Sequence, residues 1–170
     1  MSFAIRAPRP DELELLRDIE RRAGAMFAEV GLADVAAHPP ESLEALTEYL
    51  RAERVWLVAD AHDVPVGYAL VDSVDGHAHL EQLSVVPEHG RQGLGTALLE
   101  HTCTWAEMQG YAAVTLTTFK DVAWNAPFYA KHGFAPMTAA EIGPQLRALC
   151  ALEADHGLDP DQRVCMRRAV

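Results

Sequence analysis

Cysteine is scarce in this chain: 170 residues hold three, Cys103, Cys150 and Cys165. An odd number at wide spacing gives neither a disulfide framework nor a zinc-ligand pattern, so a reducing, cytoplasmic setting is expected. Long apolar runs are missing as well. No stretch approaches the roughly 20 residues that span a bilayer, and the opening M-S-F-A-I-R-A-P-R-P breaks into charge and proline before any signal-like core. A soluble, unprocessed protein is the expectation. Positive charge is in deficit, with fourteen Lys and Arg against twenty-five Asp and Glu and a formal net charge of -11. That balance argues against nucleic acid and anionic membranes as partners and suits an amine-bearing one better. Two nucleotide motifs are also absent. The G-x-G-x-x-G fingerprint fails because the residue three after Gly95 is Leu98, and no G-x-x-x-x-G-K-S/T loop occurs.

What is present is an ordinary globular composition, 49% hydrophobic and 23% charged, with no repeat, low-complexity tract or linker. One domain over residues 1–170 is therefore expected. Phe3 to Ala7 reads as a strand stopped by Pro8 and Pro10, and Asp11 as the N-cap of a helix with Leu13, Leu16, Ile19 and Ala23 at helical spacing. Met26 to Pro40 has no period and reads as a loop before a helix from Ser42 to Arg51. Val55–Asp60 and Pro65–Ser73 form a predicted hairpin, and His77–Val86 a third strand with His77, His79, Glu81, Leu83 and Val85 on one face. A helix over Thr96–Gln109, a strand over Tyr111–Phe119, a short helix over Asn125–His132 and a strand from Phe134 follow. A helix over Glu141–Glu153 and a strand over Gln162–Arg168 complete an α/β fold, helices packed on a mixed sheet.

The segment L-E-Q-L-S-V-V-P-E-H-G-R-Q-G-L-G-T-A-L-L-E, Leu80 to Glu100, reads strand, glycine-rich turn, helix. Closely spaced glycines let successive backbone N–H groups point into one concavity, and the helix behind adds a partial positive charge. An anion such as a diphosphate fits there, since Gly93 and Gly95 carry no Cβ to keep it away. A tight turn with no ligand would show the same glycines.

This segment resembles the core motif of the GNAT N-acetyltransferase superfamily, Gln/Arg-x-x-Gly-x-Gly/Ala after a strand. Further on, N-A-P-F-Y-A-K-H-G-F, Asn125 to Phe134, resembles that family's later signature, a helix whose tyrosine stands four residues before Gly-Phe. The resemblance implies a GNAT-like fold, acetyl-CoA as cosubstrate without a metal, and an N-acetyltransferase activity. It implies that Arg91, Gln92, Gly93, Leu94, Gly95 and Thr96 cradle the CoA pyrophosphate through their backbone. It also implies that Leu83, Ser84 and Val85 pair, main chain to main chain, with the pantetheine arm. The chain departs from the pattern at Gly90, where the family has Gln or Arg, and Arg91 stands ready to replace that side chain. Asn125 is carried over as a CoA contact, although the family's asparagine usually lies farther upstream of the tyrosine.

Transfer to an amine needs a base for the ammonium proton and an acid for the leaving thiolate. By resemblance Tyr129 is the acid, and a phenol stays protonated at neutral pH. Glu81, on the strand entering the motif, matches the family's carboxylate base, while His79 and His77 are rivals whose strand face could equally be solvated. The two histidines share a face, yet no third metal ligand stands at useful spacing. Trp56, Leu98, Leu99, Trp105 and Phe134 are read as core. The implied partner is a small-molecule or peptide amine, and a homodimer is compatible with the reading. A CoA-binding sensor without turnover is the alternative function.

Overall fold

In the computed structural model, which describes residues 2–170, the first strand, β1 (Ala4–Arg6), stops just before the two prolines. Arg6 then grips Glu12 with two guanidinium nitrogens at 2.8 and 2.9 Å, and Glu12 accepts the Arg9 N–H at 2.8 Å. That capping arrangement organises a 3₁₀ turn, Pro10–Glu12, so Asp11 lies inside the turn and is not the cap of α1 (Leu13–Gly24). Leu13, Leu16 and Ile19 are buried, as their helical spacing predicts.

The expected loop is partly helical. Ala25–Val30 is a 3₁₀ helix closed by Gly31 at φ 78°, and α2 (Ala33–Ala36) follows. Neither piece buries a residue, so neither leaves an apolar period in the sequence. α3 (Leu43–Arg51) begins where Ser42 accepts the Ala45 N–H at 3.1 Å, the capping role that serine favours.

β2 (Val55–Ala59) pairs antiparallel with β1 and with β3 (Pro65–Val74), which confirms the predicted hairpin. β3 turns into β4 (His77–Val85) through Asp75 and Gly76, both at positive φ (51° and 76°), the backbone that two-residue hairpins require. Then come α4 (Leu94–Met108), β5 (Ala113–Phe119), α5 (Ala126–Lys131), β6 (Ala135–Pro136), α6 (Pro144–Asp155) and β7 (Arg163–Ala169). The seven strands form one mixed sheet in the order β1-β2-β3-β4-β5-β7-β6, with β4 and β5 parallel. β7 lies antiparallel between β5 and β6.

Two compact units can be described separately. The first is the chain through Val71 with Gln82–Thr102, and its core holds Leu16, Leu46, Leu57, Tyr68, Leu98 and Leu99. Trp56 is buried here as predicted, with its ring 5.1 Å from that of His101. The second is Asp72–Glu81 with Cys103–Val170, built around Leu116, Phe134, Leu146 and Met166. Each fully buried leucine contributes about 2 kcal/mol through the water it leaves. Trp105 is only half-buried, and Met108 is exposed.

In the second unit α6 starts at Pro144, three residues later than predicted. Asp75 sets this start, since its carboxylate accepts the Gln145 and Leu146 N–H groups, both at 2.9 Å. A Cβ on Gly143 would lie 2.5 Å from that carboxylate, so the approach requires glycine. Cys150 of α6 and Cys165 of β7, distant in sequence, meet as free thiols at 3.4 Å. Burial, then the Cys150 contact, pushes the Cys165 thiol up to about 12.

Candidate active site

In the first unit the glycine loop leaves β4 through a 3₁₀ turn, Pro87–His89, and enters α4 at Leu94, two residues earlier than predicted. Leu94, Gly95 and Thr96 are therefore the first turn of the helix, where backbone N–H groups have no intrahelical acceptor. Arg91 and Gly93 both take positive φ, 61° and 80°. A non-glycine residue is uncommon there, and such local reversals aim consecutive amides into one concavity. The backbone N–H groups of Arg91, Gln92, Gly93, Leu94 and Gly95 meet no acceptor among the described residues. Five successive unused donors at a helix N-terminus suit an anion such as a diphosphate.

Gly90, where the chain departs from the family pattern, is a crowded position. A Cβ there would stand 3.1 Å from the Pro87 carbonyl oxygen, which already accepts the Gly90 N–H at 3.0 Å. Gly93 is different, because an added Cβ would meet nothing within 4 Å and only its φ calls for glycine. Before the loop, Ser84 is buried and its hydroxyl accepts from Gln82 at 2.7 Å, while Leu83 and Val85 are half-buried.

The second unit carries the candidate base and acid. β4 and β5 are in parallel register at Ala78–Val114 and His79–Thr115, and Glu81 lies two residues farther along β4. His79 is 1% exposed, which corrects the picture of a solvated histidine face. Its Nδ1 is 2.9 Å from the Thr115 hydroxyl, and its Nε2 is 3.8 Å from the Glu81 carboxylate. Burial pushes the imidazole down to about 4, so it is neutral at physiological pH and a poor general base. Glu81 is 27% exposed, neither solvated freely nor sealed.

Tyr129 sits on α5 at 9% exposure, its ring packed against Phe128 at 5.2 Å and Phe134 at 5.8 Å. Its hydroxyl bonds to no described residue. Burial raises its pKa well above the usual phenol value, with Arg163 opposing weakly, so the proton stays on oxygen. Asn125 precedes α5 and its Oδ1 accepts the Phe119 N–H at 3.3 Å, joining β5 to the helix and leaving the amide NH₂ unused. Thr115 was absent from the sequence reading. Its partnership depends on the β4–β5 register, which alternation within a single strand does not reveal.

Comparison with known proteins gives the family and the fold. The Acetyltransferase (GNAT) family matches residues 14–134, and the chain belongs to that family. It is an acyltransferase of the acetyltransferase type. Among curated relatives, the streptothricin acetyltransferase A of Bacillus subtilis is 36% identical over 61 residues, 35% of each chain. The peptidyl-lysine N-acetyltransferase YjaB of Salmonella typhimurium is 28% identical over 106 residues, 62% of this chain and 67% of that one. The match thus spans about a third of the first relative and two thirds of the second. Among solved structures, a GNAT acetyltransferase from Staphylococcus aureus superposes with a TM-score of 0.74 at 18% identity, covering 99% of both chains. The PaiA N-acetyltransferase of Thermoplasma acidophilum, solved with coenzyme A, gives 0.65 at 17% identity over 100% of both. These structures establish the GNAT fold.

Proposed function

We propose that residues 1–170 act as one catalytic domain that transfers an acetyl group from acetyl-CoA to a primary amine by direct attack in a ternary complex. The observation that carries the reading is the run of unused amide donors from Arg91 to Gly95 at the start of α4. Arg91, Gln92, Gly93, Leu94, Gly95 and Thr96 hold the pyrophosphate, Leu83, Ser84 and Val85 offer main-chain groups to the pantetheine arm, and the Asn125 amide supplies a further contact. Acetyl-CoA brings the acetyl group already activated as a thioester.

The chain then has two protons to manage. Glu81 takes one from the acceptor's ammonium, directly or through water, and so frees the nitrogen lone pair. Tyr129 gives one to the departing sulfur and recovers it from solvent. The freed nitrogen bonds to the thioester carbonyl carbon and sheds a second proton to solvent as the C–S bond breaks. Glu81 passes its proton to solvent in turn, and the products are the amide and the free thiol with one net proton released.

The names of the two relatives suggest peptidyl lysine and streptothricin as first acceptors to try. The test measures thiol release from acetyl-CoA against a panel that also contains a polyamine, an aminoglycoside and a peptide N-terminus. Release that depends on one amine, with the acetylated product found by mass spectrometry, supports the reading. Tight CoA binding with no release for any amine would replace it with a CoA-binding sensor.

A further inference from the structure

The base proposed above does not stand alone on its strand. His79 and Glu81 are two residues apart on β4 and point to the same side, and Thr115 faces His79 across the parallel register. The three side chains form a line, with 2.9 Å from the hydroxyl oxygen to Nδ1 and 3.8 Å from Nε2 to the carboxylate. A buried imidazole at 1% exposure has no solvent to correct a poor arrangement, so its tautomer is set by these two neighbours.

Only one tautomer suits both. If Nδ1 carried the proton, the Nε2 lone pair would face the Glu81 oxygens and the Thr115 proton would lose its acceptor at Nδ1. With the proton on Nε2, the Thr115 hydroxyl donates to Nδ1 and the Nε2–H dipole points its positive end at the carboxylate. The Nε2 distance exceeds a hydrogen bond, so the contact acts through charge and dipole in a low-dielectric setting. The ring cannot turn away without breaking the Thr115 bond.

We propose that His79 is a positioning residue: neutral, held by Thr115, it uses Nε2–H to keep the Glu81 carboxylate in the orientation that receives the acceptor's proton. The proposal rests on Glu81 being the base. It replaces the rivalry between the two residues with a division of labour. The proton travels to Glu81, and His79 keeps its own throughout.

Two measurements test it. Long-range proton–nitrogen correlation NMR on the free protein at pH 7 reads the tautomer with no acceptor present. A neutral ring protonated on Nε2 is expected, and an Nδ1–H tautomer or an imidazolium would overturn the proposal. Kinetics follow with a lysine-containing peptide or streptothricin, whichever turns over, for His79→Leu and His79→Gln in the parent and Glu81→Gln backgrounds. Leucine fills the space without a donor, so kcat should fall roughly 10-fold, with KM for acetyl-CoA unchanged, as a misplaced catalytic group predicts. Glutamine can place an N–H near the Nε2 position and should restore most of the loss. In Glu81→Gln the leucine change should do nothing more.

A leucine effect that persists undiminished in Glu81→Gln would overturn the positioning role alone. Full activity of Glu81→Gln by itself would overturn the base reading and the proposal with it. Glutamine as damaging as leucine would also refute positioning. Thr115→Val keeps the shape and removes only the hydroxyl, which covers the case in which His79→Leu fails to fold. It should lower kcat several-fold and lose the single tautomer, and a parent-like result in both would overturn the line of contacts.

Discussion

The Nδ1 of His79 lies 2.9 Å from the hydroxyl oxygen of Thr115, at the position where β4 and β5 run in parallel register. The ring is buried, and burial lowers its pKa from the ordinary 6.5 to about 4. The unfolded chain therefore binds a proton that the folded chain rejects, and stability rises with pH across that window. The contribution is complete above pH 6.5, shrinks as the pH falls, and is gone below about 4. Its size is on the order of 3 kcal/mol. Urea unfolding of the parent and His79→Gln at pH 7 and pH 4 reads this directly. The parent should lose more stability on acidification than the variant. Equal losses would show that the ring titrates normally.

Gly93 makes a separable prediction because its backbone, and not its surroundings, demands glycine. Its φ is 80° and an added Cβ would touch nothing within 4 Å. Gly93→Val places a β-branched residue in a region that disfavours it by roughly 1–2 kcal/mol or more, so the loop should leave that conformation. Because the loop bears little of the core, the melting temperature should move by only a few degrees. CoA affinity, measured by calorimetry, should fall at least 10-fold as the consecutive amides lose their common direction. Parent-like affinity in a folded Gly93→Val protein would place the pyrophosphate elsewhere.

Glu81→Gln removes the proposed acceptor of the ammonium proton while keeping the side chain's shape. The rate should drop 10²-fold or more, the scale of a positioned base. The drop should be greatest at low pH, where almost all of the amine carries its proton. A pH profile that overlays the parent would show that Glu81 is a bystander. His79, pushed down to about 4 by burial, adds no limb of its own near neutrality.

How far the sequence could be read depended on whether the signal was local. Leu13, Leu16 and Ile19 announce α1 because a buried helix face repeats within one turn. The hairpin of β2 and β3 is as clear, for the same local reason. Ala25–Val30 and Ala33–Ala36 are surface turns that bury nothing, so they left no period to find. The start of α6 depended on Asp75, seventy residues from its partner Gln145. The glycine loop was legible because its tight turn into α4 is a backbone feature, which glycine spacing reports. The environment of Glu81 was not, because it depends on burial of His79 and on the register with Thr115.

Tyr129 gives the sharpest test of the transfer step. Its hydroxyl bonds to no described residue, yet burial holds the proton on oxygen far above neutral pH. Removing that oxygen thus leaves no protein group deprived of a partner, and Phe keeps the ring contacts with Phe128 and Phe134. Tyr129→Phe should therefore melt within a few degrees of the parent, since the usual penalty for an orphaned polar group does not arise. Acetyl-CoA affinity should stay close to the parent value. The turnover number should fall about 10²- to 10⁴-fold if Tyr129 protonates the leaving sulfur. The loss remains incomplete because a thiolate, with a conjugate acid pKa near 8.5, departs tolerably without help. That reasoning adds a second readout: thioesters whose thiols are more acidic should suffer less from the substitution. Binding, turnover and leaving-group dependence measured on one preparation separate the roles. Normal turnover would make Tyr129 a packing residue, and lost affinity with normal turnover at saturation would make it a CoA contact. A uniform fall across all leaving groups would mean that the proton comes from elsewhere.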